Sequence, residues 1–480
     1  MAEAATAPSF LEKTFGIARA GSTPRREILA GVTTFLTMSY IIFVQPAFLS
    51  GLYFGFETPV MDFGAVLTAT CLASAIATAI MGLLARYPIA QAPGMGANAL
   101  FILTAVPAAA AAGFEDPWQV ALGIIFVEGI LFLILVLSGL RAKVMHSVSN
   151  SMKHGIAVGI GLFIAFIGLQ NSGLVEDAPG VLVSLNENFQ SPDLIVFFVG
   201  VLVTAALMAR RVAGAILWGI LAAAAVAVGL KLTLHLSPWG GSTLVAESVL
   251  ATRFQLPEGV VSAPPSIEPT FLKLDILGAL SLAMIPYVLM FLFLDFFDTM
   301  GTLIGVSERA GLLDEDGNLP RANKAFASDA VGTTVGALLG TSTVTSYIES
   351  ASGVEQGGRT GLVALTVSLL FLVALFFEPI IQMVGSYPSI TAPALVIVGA
   401  MMASSVTRID WADGTESIPA FLTMIGIPLF YSIGDGLALG LVSYAAIKAL
   451  AGRAREVGWV MGGLALVLVL YFIFVRSRLG

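Results

Sequence analysis

Three acidic side chains stand where so apolar a chain should not hold them. Asp295 and Asp298 lie three residues apart in YVLMFLFLDFFDTMGTLIGV, with Thr299 and Thr302 on neighbouring turns, and Glu349 sits in the polar run TSTVTSYIES. A carboxylate inside a hydrophobic helix costs roughly 2.5 kcal/mol or more on insertion scales, so each is a functional candidate by default. Pairing with a buried cation explains them poorly, because no span interior read from the sequence carries Lys or Arg. Asn98 in QAPGMGANAL adds an amide that both donates and accepts. Carboxylates, an amide and freed backbone groups suit a neutral planar solute with N–H donors and ring acceptors, such as a nucleobase, better than an anion. A desolvated carboxylate can exchange a proton during a cycle. Proton coupling therefore fits, and sodium coupling would draw on the same residue types.

Two interrupted helices must position these groups. Pro93, Gly94 and Gly96 forbid a continuous helix, so residues around 90 to 95 are expected to be extended, with a half-helix starting near Ala97. Gly340 ends a second helix, the β-branched run Thr341, Thr343, Val344 and Thr345 favours an extended stretch, and Ser346 is expected to cap a short helix holding Glu349. Backbone freed at membrane depth survives only where it faces protein or a cavity. Two such breaks point to one shared central site.

The chain as a whole is polytopic. It has 480 residues, 57% hydrophobic and 11% charged, with a mean hydropathy of +0.93. Since a bilayer needs about 20 apolar residues per helix, the expected spans are 28 to 50, 62 to 85, 96 to 112, 117 to 139, 152 to 172, 193 to 209 and 212 to 235. After a polar connection at 236 to 272 come 276 to 306, 325 to 340, the broken 341 to 358, 361 to 384, 390 to 405, 417 to 432, 434 to 450 and 457 to 475. Arg25 and Arg26, Arg86, the group Arg141, Lys143 and Lys153, the pair Arg210 and Arg211, and Arg309, Arg321 and Lys324 fall in every second loop. The loops between carry Glu57, Asp62, Glu115, Asp116, Glu176, Asp177 and Glu187. The amino terminus is therefore expected in the cytoplasm, with residues 1–24 as a retained tail. Arg453, Arg455, Arg476 and Arg478 cannot all lie inside if every late run spans, so 417 to 432, with Pro419 and Pro428, reads as an interfacial or re-entrant segment.

Thr68 onward reads TATCLASAIATAIMGLLARYPIAQAPGMGANALF, and Asn323 onward reads NKAFASDAVGTTVGALLGTSTVTSYIESASGV. Each is a small-residue helix, a break and a polar cluster, in the third span of its half. Seven is odd, so two seven-span halves must run in opposite senses, as in secondary transporters built from inverted repeats. The fold class expected is all-α, 14 spans as 7+7 inverted repeats, with short extended segments in spans 3 and 10.

Other features exclude rather than suggest. The single cysteine, Cys71, sits in an apolar run, so no disulfide framework exists. His146, His154 and His235 are scattered near span ends, which offers no metal cluster. A net charge of −8 argues against nucleic acid as a partner. Glu355 and Arg359 are spaced for an i, i+4 surface pair, and Asp435 in YSIGDGLALG reads as a turn residue.

At GVTTFLTMSYIIFVQPAFLS, QAPGMGANALF, FLDFFDTMGTLIGV and TSYIESASGVEQGGRTGL the sequence resembles the AzgA-like purine permeases of the nucleobase/ascorbate (xanthine/uracil) transporter family, from about Arg25 to the carboxyl end. The resemblance implies a uracil-permease-like core of spans 1–4 and 8–11 (25–140 and 274–388) and a gate of spans 5–7 and 12–14 (141–235 and 389–480), with 236–273 as an extracytoplasmic loop. It implies proton symport of adenine, guanine or hypoxanthine across the cell membrane, an elevator-like displacement of the core, a homodimer, and no cofactor beyond the proton gradient. By position it places the substrate acids on Asp295 and Glu349 and the polar residue of span 3 on Asn98, with backbone around Ala97 and Ile348 lining the base. Ser346 and Thr299 complete the expected substrate site, and Glu349, Asp295 and Asp298 the proton path. One departure is Gln45 in IIFVQP, where the group more often has Asn; it bears on substrate choice if that side chain packs behind the site.

Two other readings compete. An anion exchanger on the same architecture would present helix N-termini and a cation instead of two acids. An intramembrane aspartyl protease would need GxGD, but Ser432 holds its first position ahead of Gly434 and Asp435, and no preceding span contains a YD dipeptide.

Overall fold

The computed structural model describes residues 10–54, 56, 58–139, 148–233, 242–257, 259–314 and 319–476. Glu57, Arg141, Lys143, His146, His235, Arg478, residues 1–9 of the expected tail and 236–241 of the expected loop lie outside them. Among the described residues, eleven helices are long and apolar enough to cross a membrane, and Met95–Ala111 is a shorter apolar one. Large apolar side chains such as Leu137, Leu202, Trp218, Leu369 and Leu466 point outward, half exposed or more. Outward apolar faces on helices of this length are what lipid demands and water penalises. The chain is a multi-pass membrane protein.

Helices pair according to where small residues let backbones meet. Asn150–Asn171 packs along Pro388–Ala403, and Gly414–Leu429 lies against both Asn150–Asn171 and Ile433–Leu450. Pro192–Ala209 joins Ala215–Thr233 and Pro388–Ala403. Separately, Pro117–Leu137 packs on Ala322–Leu339, while Phe63–Ile80 touches both Ala322–Leu339 and Gly361–Ala374. Closest approaches fall at glycine: a Cβ on Gly361 would lie 1.9 Å from the Gly82 carbonyl oxygen, and one on Gly399 2.3 Å from that of Gly161.

Three local expectations need correction. The run 276 to 306 is divided: Asp275 caps a separate turn, Ile276–Ala279, by accepting from Gly278 N at 2.9 Å. The long helix then begins at Ile285, with Pro286 in its first turn, where proline needs no donor. Glu355 does not pair with Arg359. Helix Ser350–Glu355 stops before the i+4 turn is complete, so Glu355 meets Arg309 at 3.2 Å, whereas Arg359 donates to the carbonyls of Val354 and Gly358. Nor are the span interiors free of cations: Lys448, in the last turn of Ile433–Leu450, is buried and neutralised by Glu416 and Glu456, each at 2.8 Å.

Four short strands complete the fold. They are β1 (Gln91–Pro93), β2 (Val175–Ala178), β3 (Val181–Leu185) and β4 (Val344–Ser346). β2 and β3 form a surface hairpin, and β1 pairs antiparallel with β4 in the interior.

Candidate functional site

The β1–β4 pair is built from both chain interruptions. Helix Phe63–Ile80 extends through a widened turn, Met81–Ala85, and ends at Arg86 in the left-handed region. Helix Ala322–Leu339 ends at Gly340, with φ +99°, where a Cβ would lie 2.2 Å from Thr270 Cβ. Both chains then run extended, with Gln91 opposite Ser346, Ala92 opposite Thr345 and Pro93 opposite Val344. Flanking bonds continue the ladder, from Gly94 N to Thr343 O at 3.0 Å and from Tyr347 N to Ala90 O at 2.9 Å. Each broken helix thereby satisfies the backbone groups freed by the other. Pro93, which has no donor, sits at the end of the pair, where none is required.

Side chains lock this ribbon in place. Asp329 is fully buried and accepts from Gln91 Nε2 at 2.7 Å, Ser346 Oγ at 2.9 Å and Thr299 Oγ1 at 2.6 Å. Thr299 also contacts Thr345 Oγ1 at 2.9 Å, and Ser328 donates to Gln91 Oε1 at 3.0 Å. Thr78 bonds both backbone groups of Gln91, donating to its oxygen and accepting from its nitrogen at 2.9 Å. One carboxylate therefore ties β1, β4 and helix Ile285–Arg309 together.

Beside the ribbon lies a small, partly open cavity. Gly94, Gly96 and Ala97 line one wall, Asp295 and Asp298 another, and Thr343 and Thr345 the ribbon side; Ile160 and Met402 close it from the helices packed opposite. Glycine is needed here for space. A Cβ on Gly94 would come within 2.7 Å of Thr345 Cγ2, and one on Gly96 within 3.1 Å of Ile160 Cγ2.

Of the residues expected from sequence, Asp295, Asp298 and Ala97 line this cavity. Asp295 is buried, and Asp298 is exposed through the opening. Glu349 stands at the start of helix Ser350–Glu355, nearly buried, and accepts from Tyr40 Oη at 2.9 Å. Ser346 does not cap that helix, since its hydroxyl is committed to Asp329. Thr299 is likewise engaged, by Asp329 and Thr345. Asn98 is fully buried, with Oδ1 accepting from Ser342 Oγ and Nδ2 3.6 Å from Met95 Sδ. Gln45 donates to Thr341 and Ser342 Oγ at 3.0 and 3.1 Å, so it packs behind the break and reaches Asn98 through Ser342. Ile348 keeps a part-exposed side chain. Asp435 does more than turn the chain, because it is buried and accepts from Tyr471 Oη at 2.9 Å.

Four participants escaped the sequence reading: Asp329, Gln91, Glu128 and Tyr40. Glu128 in IIFVEGIL had a usable signal, a lone acid in the middle of a 21-residue apolar helix. Asp329 is a similar acid in a small-residue helix. Among the described residues no group of three or more His, Cys, Asp or Glu is arranged to hold a metal ion.

Two broken helices crossing at a cavity are a transporter's arrangement, and comparison with known proteins is decisive about the family. The sequence profile described as "Permease family", of xanthine/uracil type, matches residues 25–440. This chain belongs to that family. The permease is 41% identical to the guanine/hypoxanthine permease PbuG of Bacillus subtilis, over 95% of this chain and 98% of that one. It is 38% identical to the adenine permease AdeP of Escherichia coli, over 98% and 97%. Its fold is similar to that of the transmembrane domain of a cyanobacterial bicarbonate transporter, BicA, with TM-score 0.60 at 14% identity, covering 86% of this permease and 97% of that domain. Being a permease, the chain is a transport protein and not an enzyme.

Proposed function

We propose that this permease is a proton-coupled importer of purine nucleobases, working by elevator-type alternating access. The observation that carries the reading is the cavity beside the β1–β4 ribbon, which has two acids and no base among its lining residues. An anion exchanger would need the reverse, although BicA is named for bicarbonate. Purine bases carry ring N–H donors and ring nitrogen acceptors, which such a wall can meet on both counts. PbuG and AdeP are named for guanine, hypoxanthine and adenine, so the purine class is favoured without a choice within it.

In this reading Asp295 and Glu349 receive ring N–H groups, while Asn98 and the backbone around Ala97 and Ile348 meet ring acceptors. Ser346 and Thr299 hold the ribbon through Asp329, and Glu349, Asp295 and Asp298 pass the coupled proton. The inverted halves are spans 1–7 and spans 8–14, the second half lying within 276–475 with 417–432 interfacial or re-entrant. Residues 25–140 and 274–388 form the moving core, 141–235 and 389–480 the gate and dimer scaffold, and the amino terminus is cytoplasmic.

Uptake of radiolabelled adenine, guanine, hypoxanthine, xanthine and uracil by cells expressing the chain, with and without a protonophore, tests the reading. Saturable purine uptake that collapses with the proton gradient is expected. Failure of a correctly inserted protein to take up any base, with bicarbonate or chloride flux instead, would replace it with the anion reading.

A further inference from the structure

Glu128 does not line the cavity, yet it is the one acid on helix Pro117–Leu137 and is fully buried. It reaches the same ribbon as Asp295. Its Oε2 accepts from Thr343 Oγ1 at 3.4 Å, and Asp295 Oδ2 accepts at 3.4 Å from Thr333, whose hydroxyl also donates to Val344 O at 2.9 Å. Residues 343 and 344 are adjacent, so both carboxyls reach the same short stretch of chain, Glu128 through the Thr343 hydroxyl and Asp295 through Thr333. Each then has an oxygen left over: Glu128 Oε1 and Asp295 Oδ1 are buried without a hydrogen-bond donor. The two acids are close enough for each to act on the other's charge. The other charges that face them are Asp329, toward both, and Asp298, toward Asp295, so every charged neighbour is an acid.

Two carboxylates facing each other in a dry site cannot both be ionised cheaply; one proton between them removes the repulsion and supplies the missing donor. We propose that Glu128 and Asp295 hold a single shared proton between Oε1 and Oδ1, making Glu128 a positioning residue that sets the protonation of the cavity acid Asp295. Asp295 lines the cavity and Glu128 does not, so the pair places this proton one side chain behind the solute. Entry of a solute that donates an N–H to Asp295 competes with Glu128 for the same carboxyl, which links solute binding to the proton. The inference rests on the proposed purine–proton symport but adds a residue to it.

The test uses the full-length protein in proteoliposomes, comparing wild type, Glu128→Gln and Glu128→Asp. Purine uptake by wild type checks the functional reading by itself; without it the pair is judged by the infrared measurement alone. In Glu128→Gln one negative charge is gone, so Asp295 no longer needs a proton to relieve repulsion. The alkaline limb of the uptake profile should move at least one pH unit toward acid, and Glu128→Asp should restore most of the wild-type position. Infrared spectra of the purified protein should show a protonated-carboxyl C=O band that Glu128→Gln lacks. A superimposable pH profile and unchanged infrared band in a well-folded Glu128→Gln protein would overturn the proposal. So would wild-type uptake that requires sodium at fixed pH and loses that requirement in Glu128→Gln, because the pair would then hold a sodium ion.

Discussion

Removing the Asp329 carboxylate should loosen the ribbon, and the size of the effect follows from its donors. Oδ1 accepts from Gln91 Nε2 and Ser346 Oγ, and Oδ2 accepts from Thr299 Oγ1, all between 2.6 and 2.9 Å. A hydrogen bond to a buried charged group is worth about 1.5–3 kcal/mol, so Asp329→Ala forfeits roughly 4.5–9 kcal/mol gross. Against that stands relief of the desolvation penalty, several kcal/mol for a buried ion. Thr299 and Ser346 also keep Thr345 and Gln91 as partners. A net loss of about 2–4 kcal/mol is expected. Asp329→Asn can keep Oδ1 on its two donors and turn the NH2 toward Thr299, whose hydroxyl can accept, for a loss of about 1–2 kcal/mol. The assay is the temperature at which the detergent-purified protein loses its monodisperse peak, with purine uptake measured in parallel. Both readouts should rank wild type above Asp329→Asn above Asp329→Ala. An Asp329→Ala protein as stable as wild type would refute the clip, and an Asn variant as damaged as the Ala variant would show that charge, rather than acceptor count, matters.

Further outcomes follow from the same geometry. Gly94→Ala pushes a methyl to 2.7 Å from Thr345 Cγ2, an overpacking worth about 1–3 kcal/mol; uptake should fall roughly tenfold, and Thr345→Ser, which deletes the clashing atom, should recover it in the double variant. Tyr40→Phe removes the hydroxyl that donates to Glu349 and should raise the KM for purine by roughly tenfold or more, with little change in protein yield; an unchanged KM would detach Glu349 from the solute. Glu349→Gln should abolish accumulation against a gradient while leaving equilibrium exchange of purine measurable, whereas Asp295→Ala should weaken both, and equal loss of binding in the two would contradict that division. In the loop after Arg408, the Arg453 guanidinium and Thr415 hold the Asp413 carboxyl well below the usual carboxylate range. A depressed value stabilises only above the unfolded value of about 3.9. The stability gap between wild type and Asp413→Asn should therefore stay constant from pH 5 to 8 and close as the pH falls below about 4, which thermal scans across pH can read.

Much of this architecture is legible because lipid imposes local rules. A segment that crosses must be about twenty apolar residues long, and an acid, a glycine or a proline inside it is conspicuous without any knowledge of its neighbours. Asp295, Asp298 and the breaks at Pro93–Gly94 and Gly340–Thr345 were visible for that reason. Other assignments failed because partners remote in sequence outcompete near ones. Ser346 is well placed to cap the next helix, yet a buried carboxylate 17 positions earlier takes its hydroxyl. Glu355 has an arginine four residues on, yet finds Arg309, 46 positions back.

That the chain is a multi-pass membrane protein, where its helices are interrupted and which acids are too costly to be accidental can all be read from short windows, since lipid cannot hydrogen-bond and acts on each window alone. The strand-to-strand pairing of the two interruptions, the Asp329 clip and the meeting of Glu128 with Asp295 emerge only when the chain is folded. Those facts depend on partners carried by different helices and breaks, Gln91 lying 238 positions from Asp329, which side-chain spacing along one helix does not encode.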